Sequence, residues 1–361
     1  MRNRREFMKG LAGVAAGAFV AGRVPEAEAQ AQQGAGPVTR REVRVGNKRV
    51  KVIDVHAHAA VPEVADVIKG TPLERYARGG GRALGADRIQ ELDKRGIDVQ
   101  ALDINTFWWY AADRELATKI VQVHDEGLSK WCAANSDRFV AFTSPALQFP
   151  DLAAQQIDHA VKDLGMRGVA IGGHVAGEPL SMPKYDPVWA KVQELGVLVF
   201  MHPNGAENVA KPDAFAGAGD LGNILGNPLE TALFLSHLIY DGTFDKFPGL
   251  KICGAHAAGY FPSYLGRFDV ACDVRQNAKC VNKKHPREYL HDQILADSMV
   301  FSPEGVRHLV TEMGPSQVVY GTDIPLVWPD TIDAILQAEI PDPQKEAILG
   351  GNLAKLLKIK S

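Results

Sequence analysis

The sequence predicts an α/β protein of the (β/α)8 TIM-barrel class, built as one domain. Three observations lead there. Short β-branched runs alternate with amphipathic helical stretches from residue 50 to the end, and eight such runs are counted. The first run closes on histidines, where a doubly wound open sheet would carry a Gly-rich phosphate loop. No internal repeat of the length that builds a solenoid or propeller is visible.

Taken in order, the strands are read at 50–57, 99–104, 139–143, 168–172, 197–202, 251–255, 299–301 and 318–322. Each is a short apolar run bounded by turn residues. Helical patterns lie between them at 87–94, 114–135, 151–164, 187–195, 228–246 and 303–313. Asp186, Asn227 and Ser302 each precede a proline and are expected to cap the helices that follow. The stretch 59–85 is rich in Gly and Pro and weakly patterned, and is read as an active-site insertion between strands one and two. Residues 31–49 lead into a barrel domain spanning 50–361.

Residues 1–30 read as an address label. A basic start with paired Arg4 and Arg5, a short apolar stretch at 10–22 and small residues at A-x-A spacing are the parts of an export signal of the twin-arginine type. The apolar stretch is too short for a bilayer-spanning helix, so no stable membrane insertion is expected and the mature protein is placed in the periplasm. The 361-residue chain is 46% hydrophobic and 23% charged, with a formal net charge of −3, which excludes a nucleic-acid protein relying on a broad basic surface. Its four cysteines are too few for a disulfide scaffold, although the spacing of Cys272 and Cys280 permits a pair in an oxidising compartment.

Five of the eleven histidines and one aspartate follow strand runs, at the end where a barrel builds its site. In Val52-Ile53-Asp54-Val55-His56-Ala57-His58 the period of two puts Asp54, His56 and His58 on one face. His202, His256 and Asp323 close the fifth, sixth and eighth runs, and His174 follows the fourth. Nitrogen-rich ligation with one carboxylate suits a single divalent transition metal, Zn²⁺ first and Mn²⁺ or Fe²⁺ after it.

These residues lie in motifs that resemble the amidohydrolase superfamily: the H-x-H of the first strand, His202-Pro203, and Gly321-Thr322-Asp323-Ile324-Pro325. The run from Cys253 through His256 to Gly259-Tyr260-Phe261, then Leu265-Gly266-Arg267, is similar to the branch containing aminocarboxymuconate-semialdehyde decarboxylase and related aromatic-acid decarboxylases. Gly96-Ile97-Asp98-Val99-Gln100, Ile171-Gly172-Gly173-His174 and Gly351-Asn352-Leu353-Ala354-Lys355-Leu356 extend the resemblance over most of 50–358.

The resemblance implies that His56, His58, His202 and Asp323 hold the metal and that His256 acts beside it, with Asp323 also passing protons. It implies a homodimer in which Arg267 reaches into the neighbouring subunit to hold a substrate carboxylate. A second substrate arginine is expected in the insertion, where Arg75, Arg78 and Arg82 are available and Arg82 is chosen. His174, by position, and Trp108, in the aromatic run Phe107-Trp108-Trp109-Tyr110, are candidate pocket residues. The sequence departs from the pattern at Asn204-Gly205, where related decarboxylases often carry an aromatic side chain. The expected activity is non-oxidative decarboxylation of a small unsaturated or aromatic carboxylic acid. Hydrolysis of an ester, lactone or amide by metal-bound water, or hydration, is the alternative. No lysine closes the fourth strand to bridge two metals, which favours the lyase.

Overall fold

In a computed structural model the described residues are 39–76, 82–104, 108–206, 209–211, 213–275 and 277–360. The expected export signal, Arg78 and Phe107 lie outside them. Eight parallel strands follow one another in chain order: β1 Ile53–Ala60, β2 Val99–Asp103, β3 Phe139–Thr143, β4 Gly168–Ile171, β5 Leu198–Met201, β6 Lys251–Gly254, β7 Ile294–Asp297 and β8 Val318–Val319. Each pairs with the next. The ring closes between β8 and β1, where Val55 N–H donates to Tyr320 O at 3.1 Å, Asp323 N–H to His56 O at 2.8 Å and His58 N–H to Ile324 O at 2.7 Å. These bonds turn an open parallel sheet into the barrel that the alternation predicts.

The seventh strand is a correction. The run 299–301 was expected to form it, but the strand is Ile294–Asp297, in register with Ile252 and Cys253 of β6. Two apolar runs stand side by side, and pairing with β6 and β8 selects the first. Residues 299–301 follow as a turn, and Phe301 takes a left-handed φ of 52°.

The helical layer comprises α1 Ala86–Arg95, α2 Arg114–Ala134, α3 Pro150–Lys162, α4 Asp186–Leu195, α5 Asn227–Tyr240, α6 Leu265–Val274, α7 Pro303–Met313, α8 Ile332–Gln337 and α9 Asn352–Leu356. Ser302 caps α7 as expected, accepting from Gly305 N–H at 3.0 Å. Asp186 and Asn227 are not caps. A tight turn at Pro183–Tyr185 and a wide π-helical turn at Gly222–Gly226 run straight into α4 and α5, so both residues lie inside the helices. The stretch 228–246 breaks at Gly242, whose φ of 79° ends α5 before a short turn Thr243–Lys246.

The insertion holds a short helix, Glu63–Ile68, and a two-residue strand, Arg82–Ala83, that pairs alongside Ala59 and Ala60. Ahead of β1, Arg44–Val45 and Lys48–Arg49 form an antiparallel pair, and Val43 and Val45 are buried. Cys272, in the last turn of α6, forms a disulfide with Cys280 beyond it. Among the described residues no helix is long and apolar enough to cross a membrane.

Candidate active site

The strand period determines what points into the barrel. Asp54, His56 and His58 share a face of β1 and are fully buried, while Val55 and Ala57 pack on the other side. The register of β1 against β2 shifts between Asp54 and Ala57, which sets His58 opposite Asp103. His202 follows β5, and its ring centroid lies 5.1 Å from that of His56 and 4.8 Å from that of His58. Asp323 enters where β8 meets β1, in a left-handed conformation with φ 62°. Its Oδ1 lies 2.8 Å from His58 Nε2 and 3.1 Å from His56 Nε2. A side chain at Gly321 would collide with His56 and Asp297, so the close approach that forms the cage needs glycine there.

One ligating atom each from His56, His58, His202 and Asp323 falls within 4.8 Å of the others, and all four residues are buried. The opposite ring nitrogens explain the convergence. His56 Nδ1 lies 2.7 Å from Asp297 Oδ2, His58 Nδ1 2.5 Å from Asp103 Oδ1 and His202 Nδ1 2.9 Å from Pro203 O. Oxygen acceptors hold the proton on Nδ1, so each Nε2 lone pair turns inward. His56 Nε2 and His202 Nε2 are buried with no hydrogen-bond partner. In a dry barrel such donors are satisfied by a shared cation, and three imidazoles with one carboxylate fit a divalent metal.

The charges of the cage pull its members in opposite directions: against the cost of burial, Asp323 and Asp297 raise His56, and Asp103 raises His58. Burial and the neighbouring imidazoles push His202 well below its ordinary pKa. Burial alone would raise Asp323, but the surrounding histidines hold it far below the usual carboxylate range. Asp54 is not part of the cage. Burial pushes it up to about 6, and it accepts from Thr322 Oγ1 at 2.7 Å, Gln100 Nε2 at 2.8 Å and His56 N–H at 3.0 Å. Arg88 completes that network, donating to Gln100 Oε1 and to His58 O, so the backbone of β1 is braced from below.

His256 stands at the open side of the cage. Its ring centroid is 5.2 Å from that of His56 and 5.1 Å from that of His202, with Nε2 3.6 Å from Asp323 Oδ2. Its side chain is 18% exposed where the four cage residues are sealed, so it faces whatever enters the barrel mouth.

The other expected residues are more dispersed. Trp108 is buried and stacked on Tyr110, with its indole Nε1 unpartnered. This pair occupies the room beside Gly172 where a side chain at the end of β4 would project. His174 is buried next to Glu230, its Nε2 3.9 Å from Oε1, outside hydrogen-bond range, and burial lowers its pKa. Arg82 is exposed on the short insertion strand; burial lowers the pKa of Arg88, and the charge of Arg82 adds to that. Arg75 turns away onto the ring of Tyr76. Arg267 is exposed on α6 and makes no ion pair among the described residues.

Sequence reasoning missed Asp103, Asp297 and Glu230. Asp103 and Asp297 close β2 and β7 as Asp323 follows β8, so the strand-end rule applied to carboxylates would have found them once β7 was placed correctly. Glu230 reaches from α5 to accept Gly173 N–H and Asn204 N–H, each at 2.9 Å, joining the ends of β4 and β5. Burial pushes it from 4.5 up to about 7. A raised folded-state pKa means that its contribution is fully present below about pH 4.5 and is lost as pH rises through 7. Glu230→Gln should therefore flatten the stability profile. Between pH 5 and 8 the wild type should lose up to about 3 kcal/mol relative to the variant in chemical denaturation. Parallel profiles would show that the charge on Glu230 is not felt.

Residues 53–359 match the Amidohydrolase family model. The chain is 32% identical over 280 residues to the 2-amino-3-carboxymuconate-6-semialdehyde decarboxylase of Dictyostelium discoideum, covering 75% of each chain. It is 28% identical to the gamma-resorcylate decarboxylase of Rhodococcus jostii, over 77% of this chain and 88% of that one. The fold is similar to that of 5-carboxyvanillate decarboxylase from Novosphingobium aromaticivorans, solved with manganese and 4-hydroxy-3-methoxy-5-nitrobenzoic acid. There the TM-score is 0.77 at 24% identity, over 90% of this chain and 100% of that one.

Proposed function

The chain belongs to the amidohydrolase family, and from that premise we propose that it is a metal-dependent carboxy-lyase acting on small unsaturated or aromatic carboxylic acids. The observation that carries this is the sealed His56–His58–His202–Asp323 cage with one half-open histidine, His256, at its mouth. Gly172 and Gly173 at the end of β4 offer no side chain to bridge a second ion, which favours a single metal. Zn²⁺ suits the three-nitrogen set best, with Mn²⁺ and Fe²⁺ next to test.

When bound, the metal supplies a Lewis acid that polarises a substrate oxygen. The chain's own groups do the rest. His256 Nε2, close to Asp323 Oδ2, is placed to hand a proton to the substrate carbon as its bond to the carboxylate breaks and CO₂ leaves. Trp108, His174 and Arg82 are assigned to selecting the acid, as the family resemblance implies for the pocket. The test is CO₂ release from a panel of such acids by the metal-loaded enzyme in D₂O. Stoichiometric CO₂ with one deuterium on the former carboxyl-bearing carbon is expected. Turnover of esters or lactones without CO₂ would replace the lyase with a hydrolase.

Arg267 is read as a substrate-carboxylate clamp delivered by a second copy of the chain. It lies on α6 with the exposed apolar residues Val270 and Val274, just after exposed Tyr264, and a guanidinium suits a carboxylate through its fork of donors. Arg267→Ala should raise KM by about 10- to 100-fold. At substrate well below the raised KM, where each variant alone turns over little, mixing Arg267→Ala and His256→Ala proteins should restore about a quarter of wild-type turnover through mixed dimers with one intact site. No recovery, with both variants dimeric, would place Arg267 outside the neighbour's site. The Cys272–Cys280 disulfide supports export to an oxidising compartment, as the N-terminal address label suggests.

A further inference from the structure

His256, Ala257 and Ala258 have φ values of 54°, 59° and 56°, and Gly259 follows at 64°. Among the described residues no other consecutive non-glycine residues are left-handed. Each such residue with a Cβ is strained, so a run of three persists only where its surroundings impose it. On one side Gly259 is pressed against α5, where a Cβ would lie 2.4 Å from Pro228 O. On the other stands Asp297, fully buried at the end of β7.

Asp297 divides its two oxygens between two tasks. Oδ2 accepts from His56 Nδ1 at 2.7 Å and from His256 N–H at 3.0 Å. Oδ1 accepts from Ala257 N–H at 2.8 Å and Met299 N–H at 3.2 Å. Oδ2 therefore sets the tautomer and direction of a cage histidine and also anchors the first residue of the left-handed turn. We infer that Asp297 is a positioning residue that orients His56 toward the metal and, through the strained turn, holds the His256 ring over the cage. This rests on the reading of His256 as the proton-transferring group. It couples ligand geometry and proton-donor geometry through one carboxylate.

An asparagine cannot serve both sets of donors. Whichever way the amide is flipped, its NH₂ faces N–H groups on one side. The experiment compares Co²⁺-loaded wild type, Asp297→Asn, His256→Ala and the double variant. Co²⁺ affinity is read from its visible absorption, turnover is measured at saturating Co²⁺, and carbethoxylation of the His256 peptide by diethyl pyrocarbonate is followed by mass spectrometry. Asp297→Asn is expected to weaken Co²⁺ binding by about 10- to 100-fold. It should also lower turnover at saturating Co²⁺ by at least about tenfold and speed modification of His256 several-fold as the turn relaxes. In the His256→Ala background the Co²⁺ loss should persist while the further turnover loss shrinks below about threefold, the non-additivity of groups that act together.

An equal turnover loss in both backgrounds, or unchanged modification of His256, would overturn the inference. If the wild type turned over no acid, the lyase reading would fail, and the carbethoxylation result alone would decide the role of Asp297. Should Asp297→Asn not fold, Asp297→Glu keeps the charge but moves both oxygens away from the His56 ring and the turn. Weaker Co²⁺ binding together with faster His256 modification is then expected, and no change in either would overturn the inference.

Discussion

Asp323→Asn is expected to lower turnover by at least about 10³-fold and to lose its metal to a chelator that leaves the wild type loaded. Asp323 is the only carboxylate among the four cage residues, with Oδ1 2.8 Å and 3.1 Å from the Nε2 atoms of His58 and His56. Without its charge, three neutral imidazoles must hold a dication in a buried cavity, and several kcal/mol of charge stabilisation are lost. Asparagine is the informative replacement because it keeps the size and tolerates the left-handed backbone at φ 62°, so charge is removed without straining the turn. Elemental analysis after dialysis against chelator, beside turnover of the same samples, checks both halves. One metal per chain and wild-type turnover in the variant would move the charge that holds the ion elsewhere.

His256→Ala should cost about 10²- to 10⁴-fold in kcat with metal content unchanged. The cage closes without it, since the four ligating atoms lie within 4.8 Å of one another and His256 is not among them. Its ring is partly exposed at the mouth, and its nearest acidic partner is Asp323 Oδ2 at 3.6 Å. A group so placed can meet substrate while leaving the ion to the four cage residues. Steady-state kinetics and elemental analysis on one preparation separate the outcomes. Metal loss would make His256 a ligand, and undiminished kcat would remove it from proton transfer.

Much of the site was legible because barrel chemistry is local to strand ends. The period of two in β1 places His56 and His58 inward together, and the turns after β5, β6 and β8 present His202, His256 and Asp323. The misplaced seventh strand shows where local reading fails. Run 299–301 is wholly apolar while 294–297 ends on Asp297, and only the pairing of Ile294 with Ile252 decides for the latter. That one shift hid Asp297.

By itself the sequence determined the barrel and the rim residues, because alternation of apolar runs and the strand period are properties of contiguous chain. Only the tertiary structure decided how those residues are aimed. Asp103 meets His58 across 45 positions and Asp297 meets His56 across 241, contacts that arise when the ring closes. Nor does any local preference of His256-Ala257-Ala258 call for a left-handed turn, since the residue types disfavour it. The buried Asp297 carboxylate on one side and the packing of Gly259 on Pro228 on the other impose that conformation, and both are brought there by the fold.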